Sequence, residues 1–212
     1  MEETNRRTKF TCIIASILVA LNFTAHAQNW DINSLKSINL NRNKNLDGPM
    51  TAITNSVYPI AIATPITELI TGYAKHDKKI IQAGWTTIAG SGINFIVAFG
   101  LKYTVNRDRP YVTYPVLQPY QHDKDPSFPS GHSSFAFNTA TSLVLHFPKW
   151  YVAVPAYAWS TTVAYSRMHL GMHYPSDVLT GAVIGATSSL LAYKGNKWIL
   201  GRRKLKHSTI AE

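Results

Sequence analysis

Between Ile80 and Leu101 the chain runs for 22 residues without a charge. A helix of that length crosses the ~30 Å hydrocarbon core of a bilayer. Four further apolar segments accompany it, at about 49–74 (interrupted by Pro59, Pro65 and Glu68), 132–147, 151–165 and 177–193. None alternates apolar and polar residues as a strand does. The pattern predicts an all-α chain, a helical bundle of about five core helices. The last three segments are short and rich in Ser, Thr and Gly, which suits closely packed membrane helices and also suits a soluble bundle. With 45% hydrophobic and 15% charged residues, the chain is too apolar to remain disordered outside its ends.

Loop charges favour the membrane reading. If the helices alternate in direction, Lys75, Lys78, Lys79, Lys149, Lys194, Lys197, Arg202, Arg203, Lys204 and Lys206 all fall at one end of the bundle. Cytoplasmic loops show this enrichment. A net charge of +10 also fits a negative membrane surface or an anionic substrate. Nucleic acid is not indicated, because no nucleic-acid-binding motif accompanies the charge.

The N-terminus reads as a secretory signal peptide. Arg6, Arg7 and Lys9 precede the uncharged run Phe10–Phe23, and Ala25-His26-Ala27 matches a small-x-small cleavage site. Cleavage before Gln28 removes Cys12, the sole cysteine, and leaves a chain without thiols or disulfides. The predicted organisation is a signal peptide over 1–27, a polar arm with one short helix over 28–47, a main helical domain over 48–200 and a basic tail over 201–212. The protein is placed in the cell envelope, in the inner membrane with a periplasmic site or, alternatively, in the soluble periplasm.

Three clusters carry candidate chemistry, all at the end of the bundle opposite the lysines. The first runs from Lys102 to Arg109-Pro110, the second is Pro129-Ser130-Gly131-His132, and the third runs from Ser166-Arg167 through His173 to Asp177. Lys102, Arg109 and Arg167 are cations at the ends of apolar segments, where an unmatched charge is costly. Arginine offers a planar fork to phosphate oxygens and lysine a point charge. Each alone also reads as a snorkelling side chain. Ser130 caps a helix start, and Gly131 lets backbone N–H groups approach an anion. His173 and Asp177 are four apart across the break at Tyr174-Pro175, so a carboxylate can orient an imidazole and sharpen it as a nucleophile. Taken singly, the pair also reads as a structural histidine beside a capping aspartate. His169 and His173 have the spacing of a metal pair, but Pro175 interrupts the helix that would align them with Asp177, and no metal is assigned.

The ordered set Lys-x6-Arg-Pro, Pro-Ser-Gly-His and Ser-Arg-x5-His-x3-Asp resembles the type 2 phosphatidic acid phosphatase (PAP2) family, related in fold to vanadium haloperoxidases and bacterial acid phosphatases. The resemblance covers roughly residues 48–193. It implies that His173 attacks phosphorus to form a phosphohistidine and that Asp177 orients it. It further implies that His132 protonates the leaving oxygen and later assists water. Lys102, Arg109, Ser130, Gly131 and Arg167 would bind the phosphate, with no cofactor. The implied partner is a phosphorylated lipid or a small phosphomonoester. Three alternatives stay open: a soluble periplasmic acid phosphatase, a haloperoxidase, and a lipid-binding protein with a vestigial site.

Overall fold

The computed structural model describes residues 29–210, with side chains to residue 200, so the signal-peptide segment 1–27 lies outside the described residues. The order is α1 (29–40), a 3-10 turn at Lys44–Leu46, α2 (Asp47–Asn55), α3 (Val57–Ala74), α4 (Lys78–Val105), the short α5 (Pro110–Thr113), α6 (Gly131–His146), α7 (Trp150–His169) and α8 (Pro175–Ile210). Among the described residues there is no strand. The all-α bundle predicted from hydropathy is the observed fold, and α3, α4, α6, α7 and α8 are its five long members.

Local chemistry sets the ends. Asp77 caps α4 through the Lys79 and Ile80 N–H groups, and Ser130 caps α6 through Ser133 N–H. Asn106 closes α4 in the left-handed region at φ 48°, a conformation that asparagine tolerates better than most side chains. Pro175 stands at the first position of α8, where its fixed φ is already helical and its missing N–H costs nothing.

Two boundaries differ from the sequence reading. The fifth apolar segment ends near Tyr193, but α8 continues to Ile210. Hydropathy changes there, while no proline follows to stop the backbone. The segment read as a polar arm contains helix α1, which packs against the bundle. Helix α1 buries Asp31, Ile32, Leu35 and Asn39, and Ile32 and Leu35 pack with Tyr111, Leu117, Leu170 and Met172 into the main apolar cluster. The four buried positions are spaced 1, 3 and 4 apart, a helical stripe that the surrounding asparagines and lysines obscure.

The bundle interior is small and polar, and its surface is large and apolar. α4, α6 and α8 are joined through Asn138. Its Nδ2 donates to the Gly185 carbonyl at 3.3 Å and to Ser189 Oγ at 3.0 Å, and its Oδ1 accepts from Ser91 Oγ at 3.0 Å. Glu68 of α3 accepts from Thr87 Oγ1 at 2.8 Å, and Thr87 in turn meets Ser142 at 2.7 Å. Outside, Ile62, Ile70, Trp85, Ile96, Val183 and Leu191 are each more than half exposed. A soluble bundle buries such side chains. Among the described residues one helical stretch, Lys78–Thr113, is long and apolar enough by itself to cross a membrane.

The crossing of α6 and α8 is close enough for backbone contact. A Cβ at Gly185 would sit 2.0 Å from the Ser134 carbonyl oxygen, and one at Gly181 would sit 2.5 Å from that of Ser130. Gly195, farther along α8, has nothing within 4 Å of its notional Cβ. Gly185→Ala is therefore expected to destabilise the fold by at least ~1–3 kcal/mol, the usual cost of overpacking. Gly195→Ala is expected to be neutral or slightly stabilising. Thermal unfolding of the two variants in detergent is the check.

Candidate active site

All three sequence clusters arrive at one end of the bundle because the long helices alternate in direction. α4 and α7 end there, and α6 and α8 begin there. Lys75, Lys78, Lys79 and Lys149 mark the other end. The site end contains a cavity of about 220 Å³ lined by Tyr58, Lys102, Arg109, Gly131, His132 and His173, with Phe99, Gln121, Asp123 and Asp125 completing it.

His173 lies in the loop between α7 and α8 and is 2% exposed. Its Nδ1 is 3.6 Å from Asp177 Oδ2 and 3.4 Å from Ser127 Oγ. Ser127 in turn donates to Asp177 Oδ2 at 2.5 Å, and Tyr174 N–H donates to the same oxygen at 3.0 Å. Asp177 stands where its spacing places it, between the start of α8 and the His173 ring. It closes the first turn of α8 in the manner of a capping box, and it faces Nδ1 of the imidazole. Nδ1 is engaged on the Ser127–Asp177 side, so the ring's other nitrogen is the reactive candidate. Burial pushes the His173 imidazole down to about 4, against the upward pull of Asp177, and the charges of Arg167 and Arg109 push the same way. At neutral pH the ring is therefore unprotonated, the state a nucleophile needs.

Lys102 and Arg109 are met by carboxylates from the 114–128 loop. Lys102 Nζ is 2.7 Å from Asp125 Oδ2 and also donates to the Pro126 carbonyl. Arg109 Nη2 donates to Asp125 Oδ1 at 2.7 Å, and its Nη1 is 3.2 Å from Asp123 Oδ2. Burial opposes the charge on Asp125, but the hydrogen bond from Lys102 and the charges of Arg109 and Lys102 prevail and hold its carboxyl down at about 2. Arg167 is 3% exposed and reaches Thr54 Oγ1 at 3.0 Å through Nη1. Its Nε and Nη2 are buried without a hydrogen-bond partner, an arrangement that costs free energy unless an anion meets them.

His132 opens α6 and faces the cavity, its ring 5.0 Å from that of Tyr58 in an edge-on arrangement. Gly131 lines the cavity too, and a Cβ there would approach Tyr58 Oη to 3.4 Å. Of the predicted phosphate ligands, Lys102, Arg109 and Gly131 line the cavity, whereas Arg167 and Ser130 do not. Ser130 is fully buried, its hydroxyl accepts from Ser133 Oγ at 3.0 Å, and its N–H donates to the Asp177 carbonyl at 3.0 Å. It ties α6 to α8 and does not line the cavity. His169, the other half of the apparent metal pair, bonds Asp47 of α2 through Nε2 at 2.9 Å. No group of three or more metal-ligating side chains gathers among the described residues.

The sequence reading did not single out Ser127, Asp123, Asp125 or Arg107. Their signals were present as charge and hydroxyl density in the 107–128 segment, but nothing in their spacing tied them to the histidine. Arg107 donates through Nη1 to Asp177 Oδ1 at 2.6 Å, so the carboxylate behind the imidazole has a cation on its far side.

Comparison with known proteins follows the same lines. The model of the PAP2 superfamily matches residues 80–199. An undecaprenyl-diphosphatase from Sulfolobus acidocaldarius is 30% identical over 188 residues, covering 85% of each chain. A lipid A 1-phosphatase from Rhizobium johnstonii is 34% identical over 129 residues, covering 55% of this chain and 52% of that one. The crystal structure of the transmembrane PAP2 type phosphatidylglycerolphosphate phosphatase from Bacillus subtilis superposes with a TM-score of 0.67 at 26% identity, covering 86% of this chain and 92% of that chain. The chain therefore belongs to the PAP2 superfamily and is a phosphoric ester hydrolase.

Proposed function

We propose that the protein is a membrane-embedded lipid phosphatase. It removes phosphate from lipid monoesters or diphosphates through a phosphohistidine, at a site facing away from the cytoplasm. The observation that carries this reading is the shared 220 Å³ cavity, in which a neutral His173 imidazole meets Lys102, Arg109 and His132. The partnerless N–H groups of Arg167 support it, as do the lipid phosphatases among the relatives.

The bundle has polar side chains inside and large apolar ones outside, the reverse of a soluble core. Its lysine-rich end fits the cytoplasmic face, which leaves the site on the periplasmic side. A leader over 1–27 would deliver the chain there. Extraction of membranes with alkaline carbonate is expected to leave the protein in the pellet. Release into the supernatant would favour the soluble acid phosphatase.

The chemistry follows from the positions. The free nitrogen of His173 attacks phosphorus as the bond to the leaving oxygen breaks, and His132 gives that oxygen its proton. Water then attacks the phosphohistidine, losing a proton to His132, the P–N bond breaks, and orthophosphate leaves. Phosphoryl transfer asks the protein mainly for alignment and for charge on the equatorial oxygens. Lys102, Arg109 and Arg167 supply that charge, and the N–H of Gly131 adds a neutral donor at the start of α6. Ser130 contributes by holding α6 against α8.

His173→Ala is expected to abolish phosphate release that persists in EDTA. His132→Ala is expected to lose ~10²–10⁴-fold, with the largest loss on substrates with poor leaving groups. Equal loss on aryl and alkyl phosphates would remove His132 from the acid role.

A phosphate must compete with Asp125 for Lys102 and Arg109. Asp125→Asn keeps the shape and removes the charge. Vanadate and orthophosphate are expected to inhibit this variant at least several-fold more tightly than the wild type, read from inhibition constants at fixed pH and salt. Unchanged constants would mean that Asp125 does not compete with the bound anion.

A further inference from the structure

Arg107 sits inside the first motif but has no counterpart among the phosphate ligands. Its Nη1 donates to Asp177 Oδ1 at 2.6 Å and to Ser176 Oγ at 2.8 Å, and its Nη2 donates to Asp31 Oδ2 at 2.7 Å. The guanidinium lies 3.8 Å from the centroid of the Tyr174 ring, a stacking contact that fixes its plane. Asp31 is 3% exposed and comes from α1, outside the segment that the family model matches. Its Oδ1 accepts Ser176 N–H at 2.8 Å, and its Oδ2 also accepts the Ser176 hydroxyl.

Asp177 is therefore held from both sides. Oδ2 takes Ser127 and the Tyr174 N–H, and Oδ1 takes Arg107. Arg107 is held in turn by a buried carboxylate from the N-terminal helix. An ion pair of this kind serves little purpose as a stability device, because desolvation offsets most of its attraction. Its geometric effect is larger. It fixes the carboxylate that sets the plane and tautomer of the reacting imidazole, as outer partners do for catalytic and metal-bound histidines.

We infer that Arg107 and Asp31 are positioning residues for the phosphoryl-transfer step, acting through Asp177 on His173, so that α1 is part of the catalytic apparatus. This rests on the phosphatase reading of the site. Neither residue touches the substrate. Arg107 draws negative charge of Asp177 away from the imidazole, and Asp31 moderates that pull.

The two charges act on His173 in opposite directions, which gives the test its sign. The other charged and titratable groups around the imidazole are Tyr58 from α3, Lys102 from α4, Arg109, Asp123 and Asp125 from the loop, His132 from α6, Arg167 from α7 and Asp177 from α8. All are retained in the variants, so differences from wild type report on Arg107 and Asp31. With Arg107→Gln the imidazole gains the full charge of Asp177 and holds its proton to higher pH. The acid limb of kcat/KM moves up. With Asp31→Asn the pull of Arg107 is unopposed, and the limb moves down. Each displacement is expected to be roughly half a unit or more.

The experiment measures pH profiles of 4-nitrophenyl phosphate hydrolysis by the detergent-solubilised full chain, with the substrate's own titration divided out. Arg107→Lys restores the charge but not the fork. Its limb is expected near the wild-type position, with kcat down ~10–100-fold and KM within about twofold. Opposite shifts in Arg107→Gln and Asp31→Asn, with that split in Arg107→Lys, establish the inference. If the wild type hydrolyses the ester while these variants keep its kcat and acid limb, the inference fails and the phosphatase reading stands. If the wild type releases no phosphate, both fall. Should Arg107→Gln not fold, Ser176→Ala removes a bond to Asp31 and an acceptor of Arg107. A several-fold loss of kcat at unchanged melting temperature supports the inference, and unchanged kcat overturns it.

Discussion

The site depends on how closely α6 and α8 can approach. Gly181 and Gly185 let the backbone of α8 rest against Ser130 and Ser134 of α6, and the Ser130 N–H then bonds the Asp177 carbonyl. That bond joins the helix that begins with Gly131 and His132 to the helix whose first turn holds Asp177. A side chain in either glycine's place would part the two halves of the cavity. Here a packing constraint deep in the bundle and a catalytic geometry at its rim are one requirement.

The five long helices were legible because each is a largely apolar segment, and Asp77, Ser130 and Pro175 start helices where they stand. The candidate site residues stood out for a different reason. Lys102, Arg109, His132, Arg167, His173 and Asp177 each combine a functional side chain with a position at the end of an apolar segment, where an idle charge is expensive. Ser130 was assigned by association with its neighbours, and its hydroxyl turned out to be spent on the helix cap. Arg107, Ser127, Asp123 and Asp125 were illegible because their partners lie across the fold. Arg107 bonds residues 69 to 76 positions away, separations at which no local pattern operates.

Helix α1 shows how composition can mislead. Asparagine and lysine dominate its neighbourhood, and averaged polarity suggests a segment lying free in water. The side chains that matter are few and periodic. Leu35 and Asn39 are fully buried, and Asn39 bonds the His169 and Gln118 backbones. The same helix carries Asp31 beneath the loop that bears His173. A polar segment can be integral to a fold when its few apolar and hydrogen-bonding residues share one face.

The pairing of Lys102 and Arg109 with Asp125 also bears on how a catalytic cycle would end. Tight cationic pockets hold orthophosphate as readily as they hold an ester, and turnover then waits on departure. A carboxylate carried on the loop between α5 and α6 remains near those cations at high effective concentration. As product loosens, the tethered group can take over its contacts one at a time, so no step exposes bare buried cations. Such a pocket trades some grip on its substrate for a faster exit of the inorganic ion.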